Sequence, residues 1–365
     1  VNSKNVTSGS TVEHSVGDKI TIKASVKSGY SFAGIAVTTT DGKQTVYKST
    51  TASFTVTGKL TISVLARKNN FSATEMLVAG SRDLFYLKAN GDLYAWGASD
   101  KGQCGIYTGN KLLPVSLIMT SVKQVATSQG GNVGDEPHTL ILTADGKLYA
   151  VGNNSYKQTG YSGDDYYTLR PVSSVPSGTI SSISAGHDHT LILMSNGDLY
   201  GIGNNAKGQL GSSNLGGQIS SFTKIASGVS SMAAGRRHTL YIKGGVLYGL
   251  GDNRWNKLTT SNTEVYSSPV KITDTAMSKV FAGEHSSFCI DTSGNLYYFG
   301  WRSTYSFNTG AGDGKLHKIM SGVASVSMQD EHAIIVAKDG KVYGWGMNSY
   351  NQISSSSASA FSSPE

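Results

Sequence analysis

A chain of 365 residues with 38% hydrophobic and only 15% charged residues is long enough to bury a sizeable core. It reads neither as an acidic disordered chain nor as a coiled coil, and no apolar run reaches the ~18–20 residues of a membrane helix. The formal charge of +7 rests on scattered lysines with one adjacent arginine pair, Arg236-Arg237, so the basic stripe of a nucleic-acid binder is missing. Two cysteines, Cys104 and Cys289, stand far apart without a CxxC pair, which excludes zinc-ribbon and thioredoxin chemistry.

Val1–Ser10 is polar and holds no signal peptide, as expected of a mature form or an excised fragment. Residues 1–70 form the first expected domain. Lys19–Val26, Ile35–Thr40, Thr45–Lys48, Ala52–Val56 and Leu60–Ala66 alternate apolar and polar residues, with glycine turns between them. Val16 to Ile35 and Ala52 to Ala66 resemble an internalin-type B-repeat of bacterial surface proteins: a VGD turn, a GYxF strand and a closing FTVTG strand. Ile35 stands where that family often has tryptophan. The resemblance implies a spacer on an exported bacterial protein, and hence an extracellular or cell-surface location. Arg67–Thr74 reads as a short polar linker.

From residue 75 to 365 one hairpin recurs. Gly91-Asp-Leu-Tyr94, Gly146-Lys-Leu-Tyr149, Gly197-Asp-Leu-Tyr200, Gly245-Val-Leu-Tyr248, Gly294-Asn-Leu-Tyr297 and Gly340-Lys-Val-Tyr343 share one pattern. A second glycine follows each tyrosine at Gly97, Gly152, Gly203, Gly251, Gly300 and Gly346. A period near ~50 residues with short strands and no helical periodicity predicts an all-β propeller of four-stranded blades. Six units are visible, and Phe361-Ser-Ser-Pro364 repeats Tyr266-Ser-Ser-Pro269, so the chain is expected to stop where the sixth unit's last strand should start. Whether a seventh unit closes the ring stays open.

GNNAKGQLG at Gly203–Gly211 and AGHDHTL at Ala185–Leu191 resemble the repeat of the regulator-of-chromosome-condensation family. Looser copies start at Gly97, Gly152, Gly251 and Gly346, and the unit at Gly300 departs most. The resemblance implies a propeller, usually seven-bladed, and establishes no activity. The same family includes a secreted β-lactamase inhibitor protein of Streptomyces, although no residue here singles out that target.

His138, His189, His238 and His332 open the second strand of their units, with Asp83 and Ser286 at the other two positions. Equivalent residues in separate blades cannot converge on a metal at ~2 Å, so the expected role is a repeated structural bond to a backbone carbonyl. Gln103, Gln158, Gln209 and Gln352, with Lys257 and Ser306 as replacements, are expected to fix loops. The acidic pairs Asp164-Asp165 and Asp135-Glu136 set no glycosidase geometry. GxSxG, HExxH and P-loop patterns are absent, so no catalytic residue, metal site or cofactor is expected, and the chain reads as non-enzymatic.

In a meander, the first-to-second and third-to-fourth connections share a face. Here that face carries the long loops, including the insertion Ser128–Pro137. Those loops hold Tyr107, Tyr156, Tyr161, Tyr166, Tyr167, Trp255, Tyr266, Trp301, Tyr305, Phe307 and Tyr350 among Ser, Gly, Asn and Asp. All but Tyr266 form the candidate partner-binding set. Tyrosine and tryptophan in that company are the composition of a recognition surface. The leading expectation is binding of another protein, as an inhibitor or an adhesin. A carbohydrate-binding adhesin is the alternative, and guanine-nucleotide exchange, the eukaryotic family's activity, is the third reading.

Overall fold

The computed structural model describes residues 12–365 apart from 81, 110–111, 129–136, 164–166, 212–214, 262, 301–313, 329–331, 350–352 and 356–357. Strands β1 (Lys19–Lys23) and β4 (Thr51–Thr55) pair antiparallel, and β3 (Gln44–Tyr47), β2 (Tyr30–Thr39) and β5 (Leu60–Lys68) form a second sheet in that order. A small core of Ile35, Val37 and Ala52 lies between them.

Six four-stranded antiparallel sheets follow, each in simple sequence order. The first is β6 (Met76–Ala79), β7 (Asp83–Leu87), β8 (Leu93–Ala98) and β9 (Leu112–Met119). The second is β10 (Val122–Thr127), β11 (His138–Thr143), β12 (Leu148–Gly152) and β13 (Arg170–Pro171). The third is β14 (Ile180–Ala185), β15 (His189–Met194), β16 (Leu199–Asn204) and β17 (Gln218–Ala226). The fourth is β18 (Val229–Ala234), β19 (His238–Lys243), β20 (Val246–Asp252) and β21 (Val265–Thr273). The fifth is β22 (Met277–Ala282), β23 (Ser286–Asp291), β24 (Leu296–Gly300) and β25 (His317–Met320). The sixth is β26 (Val323–Met328), β27 (His332–Ala337), β28 (Val342–Met347) and β29 (Ala360–Phe361). Among the described residues the helical structure is one 3-10 turn, Arg254–Asn256.

The second strands explain why the sheets stack. HTLILT, HTLILM and SSFCID are buried along their whole length, because both faces of each sheet meet a neighbour. Leu140, Leu142 and Leu148 pack forward onto Ile180 and Ile183 of the third sheet. Leu191, Leu193 and Leu199 pack onto Val229, Ala234 and Tyr241 of the fourth. Each buried leucine contributes roughly 1.5–3 kcal/mol, so the stack is held by its interfaces more than by any single sheet.

The two glycines of each repeat have separate backbone reasons. Gly197 sits at φ +84 in the tight turn between β15 and β16. Gly203 sits at φ +114, where a Cβ would come within 2.5 Å of the Asp188 carbonyl oxygen. That close approach lets the end of β16 lie against the start of β15.

Two expectations need correction. Arg67 and Lys68 are not linker but the end of β5, because they bond to the first blade. The Arg67 guanidinium grips Asp92 through Nε (2.9 Å) and Nη2 (2.7 Å), and the Lys68 amide donates to Ser121 Oγ. Gln44 adds a reciprocal pair with the Leu117 backbone at 2.9 and 3.1 Å. The first two sheets are thereby docked on the outer strand β9 and on the short-turn side of the first blade. Second, the last strand of unit six lies within the chain. Gly346 pairs with Phe361, and Gly344 exchanges backbone bonds with Glu365, as Gly251 and Gly249 pair with Tyr266 and Val270.

Candidate binding face

The long loops are built as a rigid platform, one blade at a time. In each of four blades the residue at or just past the end of the third strand donates to a carbonyl just before the second strand. These bonds are Ala98 to Arg82, Asn153 to Pro137, Asn204 to Asp188 and Asp252 to Arg237, at 2.8–3.0 Å. The next residue then clamps its own loop. Asn205 accepts from the Leu210 amide at 2.9 Å and donates to the Gly211 carbonyl at 3.0 Å. Asn154, Asn253 and Asn348 make the same kind of bond, accepting from Thr159, Leu258 and Ile353. In three blades a glutamine holds the loop as well, with Gln103, Gln158 and Gln209 accepting from the amides of Lys101, Tyr156 and Lys207. These glutamines fix loops, as expected; Gln352 and Ser306 lie outside the described residues.

The fourth blade replaces the amide pair by an ion pair. Gln158 Nε2 donates to Asn153 Oδ1 at 2.7 Å, and at the same two positions Lys257 Nζ meets Asp252 Oδ2 at 2.8 Å. Both charged groups are almost fully buried. Burial alone would raise the Asp252 carboxyl, but the Arg254 bonds and the Lys257 charge outweigh it and hold it well below the usual range. Burial lowers the Lys257 ammonium.

The histidines lie beneath this platform. His138 Nε2 meets Thr190 Oγ1 of the next blade at 2.9 Å, His189 meets Thr239 at 3.2 Å and His238 meets Ser287 at 3.1 Å. The partner is therefore a hydroxyl across the blade interface, not a backbone carbonyl. Complete burial depresses their basicity, to about 3 for His138 and about 4 for His189. They are neutral struts, and among the described residues no cluster of three potential metal ligands exists.

Of the candidate aromatics among the described residues, four stand exposed. Tyr107 and Tyr167, from adjacent blades, bring their rings to 4.4 Å. Tyr156 is exposed to a similar degree, and Trp255 most of all at 55%. Trp255 sits at φ +68, ψ +20, in the left-handed region, beside Asn256 at φ +54. In three other loops Gly102, Lys157 and Gly208, at the position of Asn256, are left-handed, whereas Lys101, Tyr156 and Lys207, at the position of Trp255, are not. A shallow hollow of ≈ 360 Å³ opens at Trp255, lined by Asn253, Arg254, Asn256, Ser261, Thr263 and Glu264.

Tyr161 does not belong to the presented set. Its hydroxyl donates to the carbonyls of Ala150 (3.0 Å) and Arg170, and its ring packs on the core between the second and third blades. Tyr266 likewise packs inward and bonds Thr259 Oγ1 at 2.9 Å. Tyr166, Trp301, Tyr305, Phe307 and Tyr350 lie outside the described residues, as does most of the Ser128–Pro137 insertion.

The sequence reading missed a second feature of this face. The first-to-second loops carry His187-Asp188, Arg236-Arg237 and Glu284-His285 at matching repeat positions. Arg236 pairs with Glu284, His285 reaches Glu284 at 3.2 Å, and His187 reaches Asp188 at 2.9 Å. Backbone bonds from His187 to Gly235 and from Arg236 to Gly283 chain the loops of blades three, four and five together. The signal was the variable dipeptide inside each AG-x-x-[HS] stretch.

Both thiols are buried and free, and burial pushes them far above their ordinary range. Among the described residues no helix is long and apolar enough to cross a membrane.

The family model described as RCC1-like domain matches residues 62–365. The ultraviolet-B receptor UVR8 of Arabidopsis thaliana is 27% identical over 298 residues, covering 76% of this chain and 66% of that protein. The human regulator of chromosome condensation is 26% identical over 312 residues, covering 75% and 72%. The mouse E3 ubiquitin-protein ligase HERC2 is 26% identical, and there the match spans only 6% of the relative's length. Among solved structures, human WBSCR16 superposes with a TM-score of 0.69 at 15% identity, covering 92% of this chain and 94% of that one. Prp20p of Saccharomyces cerevisiae, described with its binding properties to Gsp1p and histones, gives 0.66 at 20% identity, covering 82% and 79%.

Proposed function

We propose that this chain, which belongs to the RCC1-like domain family, is a binding protein that recognises another protein through its long-loop face. The observation that carries the reading is Trp255. A bulky residue in the left-handed region costs about 1–3 kcal/mol, and such strain persists where the surroundings and a function maintain it. Here the strained residue is also an exposed tryptophan, the side chain most enriched at the centre of protein interfaces. The Tyr107–Tyr167 pair adds rigid amphipathic area on the same face.

The first two sheets dock on β9 and around Asp92, Ser121 and Ala144, and their Gly42 turn lies against Thr108 in the first blade's long loop. A further support is precedent. The solved relative Prp20p is described as binding Gsp1p and histones, so protein recognition has precedent on this scaffold. The B-repeat-like residues 10–66 support an exported bacterial protein whose first domain is a spacer and whose propeller acts as an adhesin or an inhibitor. We read the site as non-catalytic, because its repeated polar residues are committed to the scaffold.

The experiment is capture of proteins from bacterial and host extracts by the immobilised chain, run beside Trp255→Gly and Tyr107→Ala. A captured protein retained by the parent and lost with either variant, at unchanged melting temperature, supports the reading. A glycan array that binds the parent while no protein is captured would transfer the face to the carbohydrate-binding alternative.

A further inference from the structure

The excess positive charge of the chain is not spread evenly. Residues 1–70 hold nine lysines and arginines against three acidic residues, whereas residues 71–365 hold 22 against 21. The fold then sorts the basic residues by side. Three on the propeller side have partners there. Lys27 pairs with Asp145 at 3.6 Å, Arg67 with Asp92 at 2.7 Å, and Lys68 Nζ donates to the Ala144 carbonyl at 3.0 Å. Lys19, Lys23, Lys48 and Lys59 are exposed, and none of them forms an ion pair among the described residues.

These four belong to the layer farthest from the propeller. The sheet of β3, β2 and β5 turns Ala33, Ala36 and Leu65 onto Leu117 of β9, and its other face, with Ile35 and Val37, onto Ala52 of β4. The pair β1–β4 therefore lies on the outside. Ile22 and Ala52, directly opposite each other in that pair, pack into the core. By the two-residue alternation of a strand, Lys19, Thr21 and Lys23 then face outward, as do their partners Thr55, Ser53 and Thr51, and all six are exposed. Thr21 Oγ1 and Ser53 Oγ share a hydrogen bond of 2.8 Å across the pair.

The other two lysines extend this row at its ends. Lys48 stands in the connection from β3 to β4, at the Lys23 end, where the Ala24 amide donates to the Thr50 carbonyl at 2.8 Å. Lys59 stands in the connection from β4 to β5, at the Lys19 end, where the Gly17 amide donates to the Val56 carbonyl at 2.8 Å. Lys19 and Lys23 are four residues apart, about 13 Å along the strand. Of the acidic residues here, Asp18 accepts from the Ser15 amide at 3.0 Å and faces His14 at 3.7 Å, and Asp41 accepts from Thr39 Oγ1 in the β2–β3 turn.

We propose that this outer face binds a linear anionic polysaccharide, whose charged groups meet the row of lysines and whose hydroxyls meet the serine and threonine ladder between them. Lysine on an edge strand also guards against strand pairing, but that need does not account for gathering nearly the whole excess charge of the chain into its first fifth. A nucleic acid fits the face poorly. Single strands are held by exposed aromatic rings interleaved with basic groups, and here Tyr47 and Phe54 stack on each other at 6.0 Å against the core while the row holds lysine and no arginine. The face is separate from the long loops, and its occupancy does not depend on what those loops bind.

The test titrates the full chain with size-defined heparin oligosaccharides, beside polyphosphate and single-stranded DNA of matched charge. Four neutralised groups should give an affinity that falls with salt at a log–log slope of about −3. Lys19→Glu with Lys23→Glu should lower the affinity at least about tenfold, and Lys19→Gln with Lys23→Gln by a smaller factor, both with melting midpoints within about 2 °C of the parent. Lys243→Glu with Lys338→Glu makes the same charge change at exposed propeller sites and should leave the affinity within about twofold. Trp255→Gly should also leave it unchanged, so the result is distinguishable from any glycan held by the long-loop face. The proposal is overturned if the oligosaccharides do not bind, or if the propeller pair weakens binding as much as the Lys19 and Lys23 pair, which would make net charge the cause. Tighter binding of DNA or polyphosphate than of the oligosaccharide would overturn it too, by assigning the face to another polyanion.

Discussion

The buried Asp252–Lys257 pair gives the sharpest test of how the loops are held. In the second blade the same two positions are Asn153 and Gln158, joined at 2.7 Å without charge. Asp252→Asn would leave the Lys257 ammonium, 2% exposed, beside a neutral amide and the distant Glu284 carbonyl at 3.5 Å. Removing one partner of a buried pair costs about 3–5 kcal/mol. Lys257→Gln is milder. Asp252 keeps the Arg254 guanidinium at 2.8 and 3.1 Å, so the loss should be about 1–2 kcal/mol, reduced because Arg254 is 42% exposed. The double change rebuilds the amide pair of the second blade and should return within about 1 kcal/mol of the parent, since a buried ion pair rarely outperforms a well-matched neutral one. Urea unfolding of the four proteins completes the cycle. If Asp252→Asn costs less than about 1 kcal/mol, or the double variant is no better than the worse single one, the pair is not a charged version of the repeat's amide clamp.

Three other outcomes follow from the structure. His138 and His189 stay neutral in the folded chain down to about pH 3 and 4, while the unfolded chain protonates them near 6.5. Stability is therefore complete above pH 6.5 and falls as pH drops toward 4, by about 3–5 kcal/mol per histidine at the limit; an unchanged denaturation midpoint between pH 7.5 and 4.5 would contradict this. Arg67→Ala, which leaves buried Asp92 without its cation, should cost about 1–2 kcal/mol and speed hydrogen exchange in β2 and β5 but not in β15. Trp255→Gly should leave stability unchanged or raise it by up to about 1 kcal/mol, because glycine adopts φ +68 freely; a clear loss of stability would mean that the ring packs more than it presents.

The blades were legible because each Gly-x-Leu-Tyr hairpin repeats a local backbone requirement next to a leucine that must be buried. Gly197 and Gly203 mark the turn and the close approach, and Leu199 is fully buried as that pattern demands. Contacts between units were less legible. His189 was expected to bond a backbone carbonyl, yet its partner Thr239 lies 50 residues away, and only the recurrent Thr or Ser after the histidine hinted at it. The Asp252–Lys257 exchange is local, within one loop, and GDNRWNK set against GNNAKGQ shows both substitutions. Arg67 and Lys68 read as linker because a polar strand end looks like a loop until Asp92 and Ser121 are placed beside it. Within the site, sequence separated aromatic from polar loops, but it could not distinguish Tyr161, whose hydroxyl is taken by Ala150 and Arg170, from Tyr167, which is exposed.

Site-specific photocrosslinking tests the proposed function most directly. A photoreactive phenylalanine analogue is placed at position 255 on the long-loop face, or at 196 on the short-turn face, where Asn196 is bonded only within its own turn to Asp198. Irradiation in the extract from which a protein is captured should give a crosslinked species from position 255 and none from 196. Crosslinking from 196 and not from 255 would place recognition on the opposite side of the propeller and contradict the account.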